Sequence, residues 1–221
     1  APSVPPAQKS AVAKLVKAVQ RAGSSDGARQ AIAELREAIA IDPTLWEARY
    51  NLGVLLAQQG EFAEAESELA KAYELAPNAE DVVVALGEVQ RRRGEPKRAA
   101  RLLEKFVGTY PEALSARRAL VVVLREAGES ESALGHAREI LLRHPGDPAA
   151  LAELALTHLH QKQVDVADLL VQEALKAEPK AAEAERAAGL VALERGEDAI
   201  AFLHFAKATR LDPSDSAASL N

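Results

Sequence analysis

Prolines stand at Pro43, Pro77, Pro111, Pro145, Pro179 and Pro213, each 34 residues after the last. So strict a step leaves few folds open, because every interval must hold the same structural unit and end in the same break. Proline has no N–H and cannot continue a helix, so each one marks a connection between units. A second ladder with the same step runs through Ala31, Ala65, Ala99, Ala133, Ala167 and Ala201. Alanine there would let two helices approach closely where they cross. A third, partial ladder holds Gly60, Gly94, Gly128 and Gly196, with Lys162 in the missing place. Glycine accepts the left-handed conformation that ends a helix. Each unit therefore reads as helix, glycine turn, helix, proline connection. Lys162 lacks glycine's freedom, so the turn at 161–163 is expected to be looser or differently built.

With Trp46 opening the second unit, the boundaries are 12–45, 46–79, 80–113, 114–147, 148–181 and 182–215. Position seven then reads Ala18, Leu52, Leu86, Leu120, Leu154 and Ala188, and position twenty-four reads Leu35, Leu69, Leu103, Ala137, Val171 and Phe205. Apolar residues at this spacing would form a core that continues from unit to unit. The expected fold is all-α, a right-handed superhelix of six helix-turn-helix repeats. An alanine- and leucine-rich chain with 4% aromatics suits helices throughout.

These units resemble the tetratricopeptide repeat family over nearly all of residues 12–215. The best match is residues 46–79, with Asn51-Leu52-Gly53, Leu56, Gly60, Phe62, Ala65, Leu69, Ala72 and Pro77 in family places. There are departures. The family's tryptophan position holds Leu15, Arg49, Val83, Arg117, Leu151 and Glu185, and Gln90 sits where a large apolar residue belongs. The first repeat is the weakest, with a flexible turn at 23–27.

Outside the repeats, residues 1–11 carry Pro2, Pro5 and Pro6 and read as an extended N-terminal tether, or as an ordinary disordered terminus. Residues 216–221 read as a short tail, in which the polar capping helix that finishes many such arrays is not visible. The sixth repeat's second helix carries Ile200, Phe202, Leu203 and Phe205. Phe202 and Leu203 are expected to form an exposed patch that packs on a partner or a second copy, unless they fold back onto the fifth repeat.

The resemblance implies that the first helices of the pairs line a concave, ligand-binding groove at repeat positions two, five, nine, twelve and thirteen. The candidate lining is Tyr50, Val54, Val84, Arg91, Arg118, Val122, Arg125, Leu156, Leu159, Arg186 and Leu190. Such a groove is apolar at both ends and basic in the middle. It suits an extended or helical peptide with apolar anchors and a central acidic residue. The alternative is that these arginines form a salt-bridged, solvated face with Glu88 and Glu126. Family members that clamp chaperone C-termini use lysine, asparagine and arginine; here those places hold Val16 and Gln20, Asn51, then Asp81 and Ala85. A chaperone clamp is not expected.

Absences narrow the chemistry. There is no cysteine, so disulfides, thiolate metal sites and a cysteine nucleophile are excluded. His158 and His160 are too close in sequence to share a helix face, and His158 falls at a core-facing position. No phosphate loop, nucleophile elbow or zinc spacing is present. No catalysis, cofactor or metal is expected. The formal charge of −6 and the scarcity of aromatics argue against nucleic acid.

The chain starts at Ala1 and has no methionine, so it is expected to be part of a longer translation product, cleaved or trimmed. Six repeats behind a proline-rich lead are similar in architecture to the pilotin lipoproteins that support the secretin of type IV pili. That resemblance implies a protein-binding assembly factor in the bacterial periplasm at the outer membrane's inner face. Its partner would be a secretin or another membrane-complex subunit, and membrane contact would come only through an upstream anchor. The alternative is a soluble cytoplasmic adaptor, or the repeat region of a larger regulator or enzyme.

Overall fold

The computed structural model describes residues 6–22 and 25–212. Twelve α-helices and no strands occur among them: α1 (Pro6–Arg21), α2 (Ser25–Ile41), α3 (Trp46–Gln58), α4 (Phe62–Leu75), α5 (Glu80–Arg92), α6 (Pro96–Thr109), α7 (Leu114–Glu126), α8 (Ser130–Arg143), α9 (Pro148–His160), α10 (Val164–Ala177), α11 (Ala182–Glu194) and α12 (Asp198–Leu211). The chain forms two compact units, residues 1–119 and 120–221. In the first, α1–α2, α3–α4 and α5–α6 are hairpins, and α2–α3 and α4–α5 pack in series. In the second, α9–α10 and α11–α12 are hairpins, joined through α8–α9 and α10–α11.

The three ladders take distinct places. Pro43, Pro77, Pro111, Pro145 and Pro179 each follow two residues after a second helix ends; Pro213 lies outside the described residues. All six ladder alanines are fully buried. They sit beside buried Leu35, Leu69, Leu103, Ala137 and Val171 on the second helices, while Leu52, Leu86 and Leu120 supply the first-helix layer. Gly53 shows how tight this contact is. A Cβ on it would stand 2.5 Å from Leu69 Cγ and 3.2 Å from the Ala65 carbonyl oxygen.

The glycine turns close in one way. Gly60 has φ 82°, its N–H donates to Ala57 O at 3.1 Å, and Glu61 N–H donates to Leu56 O at 2.9 Å. These two bonds satisfy carbonyls that the helix end would otherwise leave open. Lys162 does the same at φ 60°, with Lys162 N–H to Leu159 O at 3.0 Å and Gln163 N–H to His158 O at 2.9 Å. The expected looser turn is therefore corrected: the repeat closes normally and Lys162 bears the left-handed strain. Its ammonium lies 2.6 Å from Glu194 on the next repeat, an exposed pair worth little. Lys162→Gly is expected to raise stability by about 0.5–1 kcal/mol, seen as a higher urea midpoint.

At the N-terminus, helix begins at Pro6, inside the segment expected to be an extended tether. Proline suits a helix's first turn, and Ala7, Gln8 and Lys9 are good helix formers; residues 1–5 lie outside the described residues. The first hairpin also turns early, because α2 already begins at Ser25 and takes Gly27 into its first turn. Residues 23 and 24 of the expected flexible turn are not described.

The missing aromatics have structural replacements. Val83 and Leu151 are simply buried. Arg49 instead donates from Nε and Nη2 to Pro43 O at 3.1 and 3.0 Å, and pairs with Glu68 at 2.7 Å. Arg117 repeats the device one unit-pair later, donating from Nη2 to Pro111 O at 2.9 Å. Both arginines tie a first helix to the proline connection before it. Glu185 is buried against His204 Nδ1 at 2.6 Å and Lys207 at 3.5 Å. Gln90, where an apolar residue was expected, is buried with Nε2 3.4 Å from Glu66 Oε1. Glu66 is itself held by Arg93 and by Arg98. The polar residue persists because its neighbour across the repeat junction is also polar.

Candidate functional site

The first unit places Tyr50 and Val54 on α3, Val84 and Arg91 on α5, and Arg118 on α7, all half-buried. The second places Val122 and Arg125 on α7, Leu156 and Leu159 on α9, and Arg186 and Leu190 on α11, again all half-buried. Helical phase explains this. Positions seven and eight of the first helices face the partner helix and the core, Val19 and Leu154 being less covered than the rest, so positions five, nine and twelve are turned partly away.

The arginines are matched with carboxylates on the same faces. In the first unit Glu88 accepts from Arg91 Nε at 2.7 Å, from Arg91 Nη2 at 2.9 Å and from Arg92 Nε at 2.6 Å. Burial opposes ionisation of Glu88, but the hydrogen bonds and charges of Arg91 and Arg92 outweigh it and hold the carboxyl below its usual range. In the second unit Glu153 is buried, with Arg125 Nε 3.0 Å from its Oε2. Burial pushes the Glu153 carboxyl up, against the opposing pull of Arg125, Arg186 and His160. Each unit thus sets two guanidinium groups against one carboxylate. Of the two readings of these arginines, the salt-bridged face is met at Arg91 and Arg92 with Glu88, while Arg125 pairs with Glu153 of the next repeat. The sequence reading missed Glu153; the available signal was an acidic residue at repeat position six, one repeat after Arg125 at position twelve.

Other groups settle into local roles. Burial pushes the Tyr50 phenol up, and the nearby Asp81 charge adds to it. Asn51, the one surviving clamp-type residue, donates from Nδ2 to Glu47 O at 2.7 Å, so its amide is engaged by its own helix. His158, expected in the core, is half-buried and has Nδ1 2.6 Å from Gln163 Oε1. It closes the Lys162 turn rather than filling the interior. Phe202 and Leu203 are 72% and 60% exposed. No helix among the described residues is long and apolar enough to cross a membrane, and no three His, Asp or Glu residues there are placed to hold a metal.

Comparison with known proteins agrees with this anatomy. Tetratricopeptide repeat signatures match residues 46–79, 84–148, 123–170 and 165–216, and a TPR repeat signature matches 29–60. No curated protein matches the sequence significantly. Among solved structures, the Pseudomonas aeruginosa pilF protein superposes with a TM-score of 0.70 at 18% identity, covering 94% of each chain. PilW, described as a widely conserved type IV pilus biogenesis factor, gives 0.71 at 19% identity over 96% of this chain and 98% of its own. YrrB, described as a TPR protein with an unusual peptide-binding site, gives 0.61 at 21% identity over 79% of this chain and 89% of its own. At these identities the likeness is one of fold, and with signatures spanning well over half its length the chain belongs to the tetratricopeptide repeat family.

Proposed function

We propose that this protein is a non-catalytic scaffold that binds an extended or helical segment of a partner on the first-helix faces of its repeats, and that it serves the assembly of a bacterial membrane complex of the type IV pilus kind. The observation that carries the binding reading is the uniform half-burial of the eleven lining residues, which leaves apolar side chains partly uncovered beside guanidinium clusters. Apolar side chains beside guanidinium groups support a partner segment that brings apolar anchors and acidic residues. The pilus reading is supported by end-to-end coverage: the chain and the pilF and PilW proteins span nearly all of one another. Its site of action on this reading is the periplasmic face of the outer membrane, and its partner a secretin or a neighbouring subunit.

Two experiments divide the reading. Affinity capture with the wild-type array is compared with Val54→Asp, Leu156→Asp and Arg118→Glu. The first two should each lower capture of the partner at least tenfold with helical content unchanged, and the third should weaken it and reduce its salt sensitivity. Equal capture by all four proteins would remove the first-helix face from the account. Separately, deletion of the gene should reduce assembled secretin rings; normal rings together with intact partner capture would leave a general adaptor.

A further inference from the structure

We infer that the outward face of α12 is self-complementary, and that two copies of the chain pair through it, antiparallel, about a twofold axis. This face is separate from the first-helix surface of the proposed function, so either reading can fail alone.

In each second helix positions twenty and twenty-four face the core, which brings positions nineteen, twenty-two and twenty-nine out on the opposite flank. These three positions are exposed in all six repeats. Five of those repeats are followed by another within the chain, so stacking leaves the row open. Its exposure on α12 therefore does not depend on what succeeds that helix. Phe202 stands outside the row. At its position, twenty-one, Glu66 and Asp168 reach the next repeat.

An open row stays soluble when it is polar or small. At positions nineteen and twenty-two the first four repeats hold only such residues, as with Glu64 and Ser67 in the second. The fifth and sixth repeats break the pattern together. Val166 and Leu169 are 41% and 65% exposed on α10, and Ile200 and Leu203 are 46% and 60% exposed on α12. Two neighbouring repeats thus share an uncovered apolar strip, the mark of a surface that meets another protein.

The rest of α12 fits a second copy of itself. Leu203, Ala206 and Arg210 follow at i, i+3 and i+7 and are all exposed, and exposed Asp198 opens the helix. Neither Asp198 nor Arg210 forms an ion pair with any described residue. Turned end for end about an axis between Leu203 and Ala206, a second α12 sets its Ala206 against Leu203. Its Arg210 then comes to the end where Asp198 stands. A large side chain meets a small one, which lets the helices approach closely, and a cation meets a carboxylate at each end. Val166 and Leu169 lie at the edge of this contact. A surface that is its own complement is isologous and closes at two copies. One helix from each copy makes a small interface, so association is expected in the micromolar range rather than the nanomolar.

The test is light-scattering mass of the full chain from micromolar to millimolar concentration. Wild type should rise from monomer to twice that mass and stop. Leu203→Asp should hold the chain monomeric with helical content unchanged. Asp198→Arg and Arg210→Asp, each alone, set like charges opposite one another at both ends of the contact and should weaken dimerisation about tenfold. Mixed in equal amounts, these two variants should recover association close to that of wild type, because each then meets its opposite charge in the other. Wild type that stays monomeric throughout would overturn the inference. So would growth beyond two copies, dimers that survive Leu203→Asp, or a mixture that associates no more tightly than its components.

Discussion

Leu69→Ala is expected to destabilise the first unit by about 3–4 kcal/mol, because it opens a cavity at a fully buried helix crossing. The site is unusually well suited to a stricter test. Gly53 faces Leu69 so closely that an added Cβ would stand 2.5 Å from its Cγ. Gly53→Ala should gain about 1 kcal/mol in helix propensity yet lose more than that through overpacking. A net loss of about 1 kcal/mol is expected. In the double variant the new methyl enters the space that Leu69 vacates. The combined cost should then fall short of the sum by at least about 1 kcal/mol, a coupling characteristic of residues in direct contact. Urea unfolding of the four proteins measures it. An additive result would mean that α3 and α4 do not cross where the structure puts them.

The second large effect concerns the alanine ladder in the second unit. Ala133 is fully buried at the crossing position of α8. Ala133→Leu should cost about 2–3 kcal/mol, since three further carbons must displace packed neighbours. Ala199, on the exposed side of α12, supplies the control. Ala199→Leu should change stability by no more than about 0.5 kcal/mol. Repeat arrays can unfold in stages, so the loss is best read as a shift of the second unit's own transition.

Much of this architecture was legible in the sequence because each ladder performs one physical task. The prolines mark helix ends, the alanines mark crossings and the glycines mark left-handed turns. A 34-residue step locates all three without any tertiary information. Lys162 marks the limit. Its residue type argues against a left-handed turn, yet the two flanking helices demand one, and the packing of α9 against α10 overrides local preference. The N-terminal helix was missed for a related reason: three early prolines suggested extended chain, but Pro6 is a helix's first residue and not its interruption.

The candidate site was only half legible. Helical phase alone puts Val54, Val84, Leu156 and Leu190 at half-buried positions. The charge balance could not be read that way, because Glu153 becomes the partner of Arg125 only through the stacking of two repeats. The Gln90–Glu66 contact, formed across 24 residues of chain, was hidden for the same reason.

The central claim is that the first-helix faces hold a partner protein. Site-specific photocrosslinking tests it most directly. A photoreactive residue replaces Val54 or Leu156, and at a control position replaces exposed Glu173. The account predicts crosslinks from Val54 and Leu156 to one and the same partner, and none from position 173. Crosslinking that is equal at all three positions, or confined to 173, would contradict it.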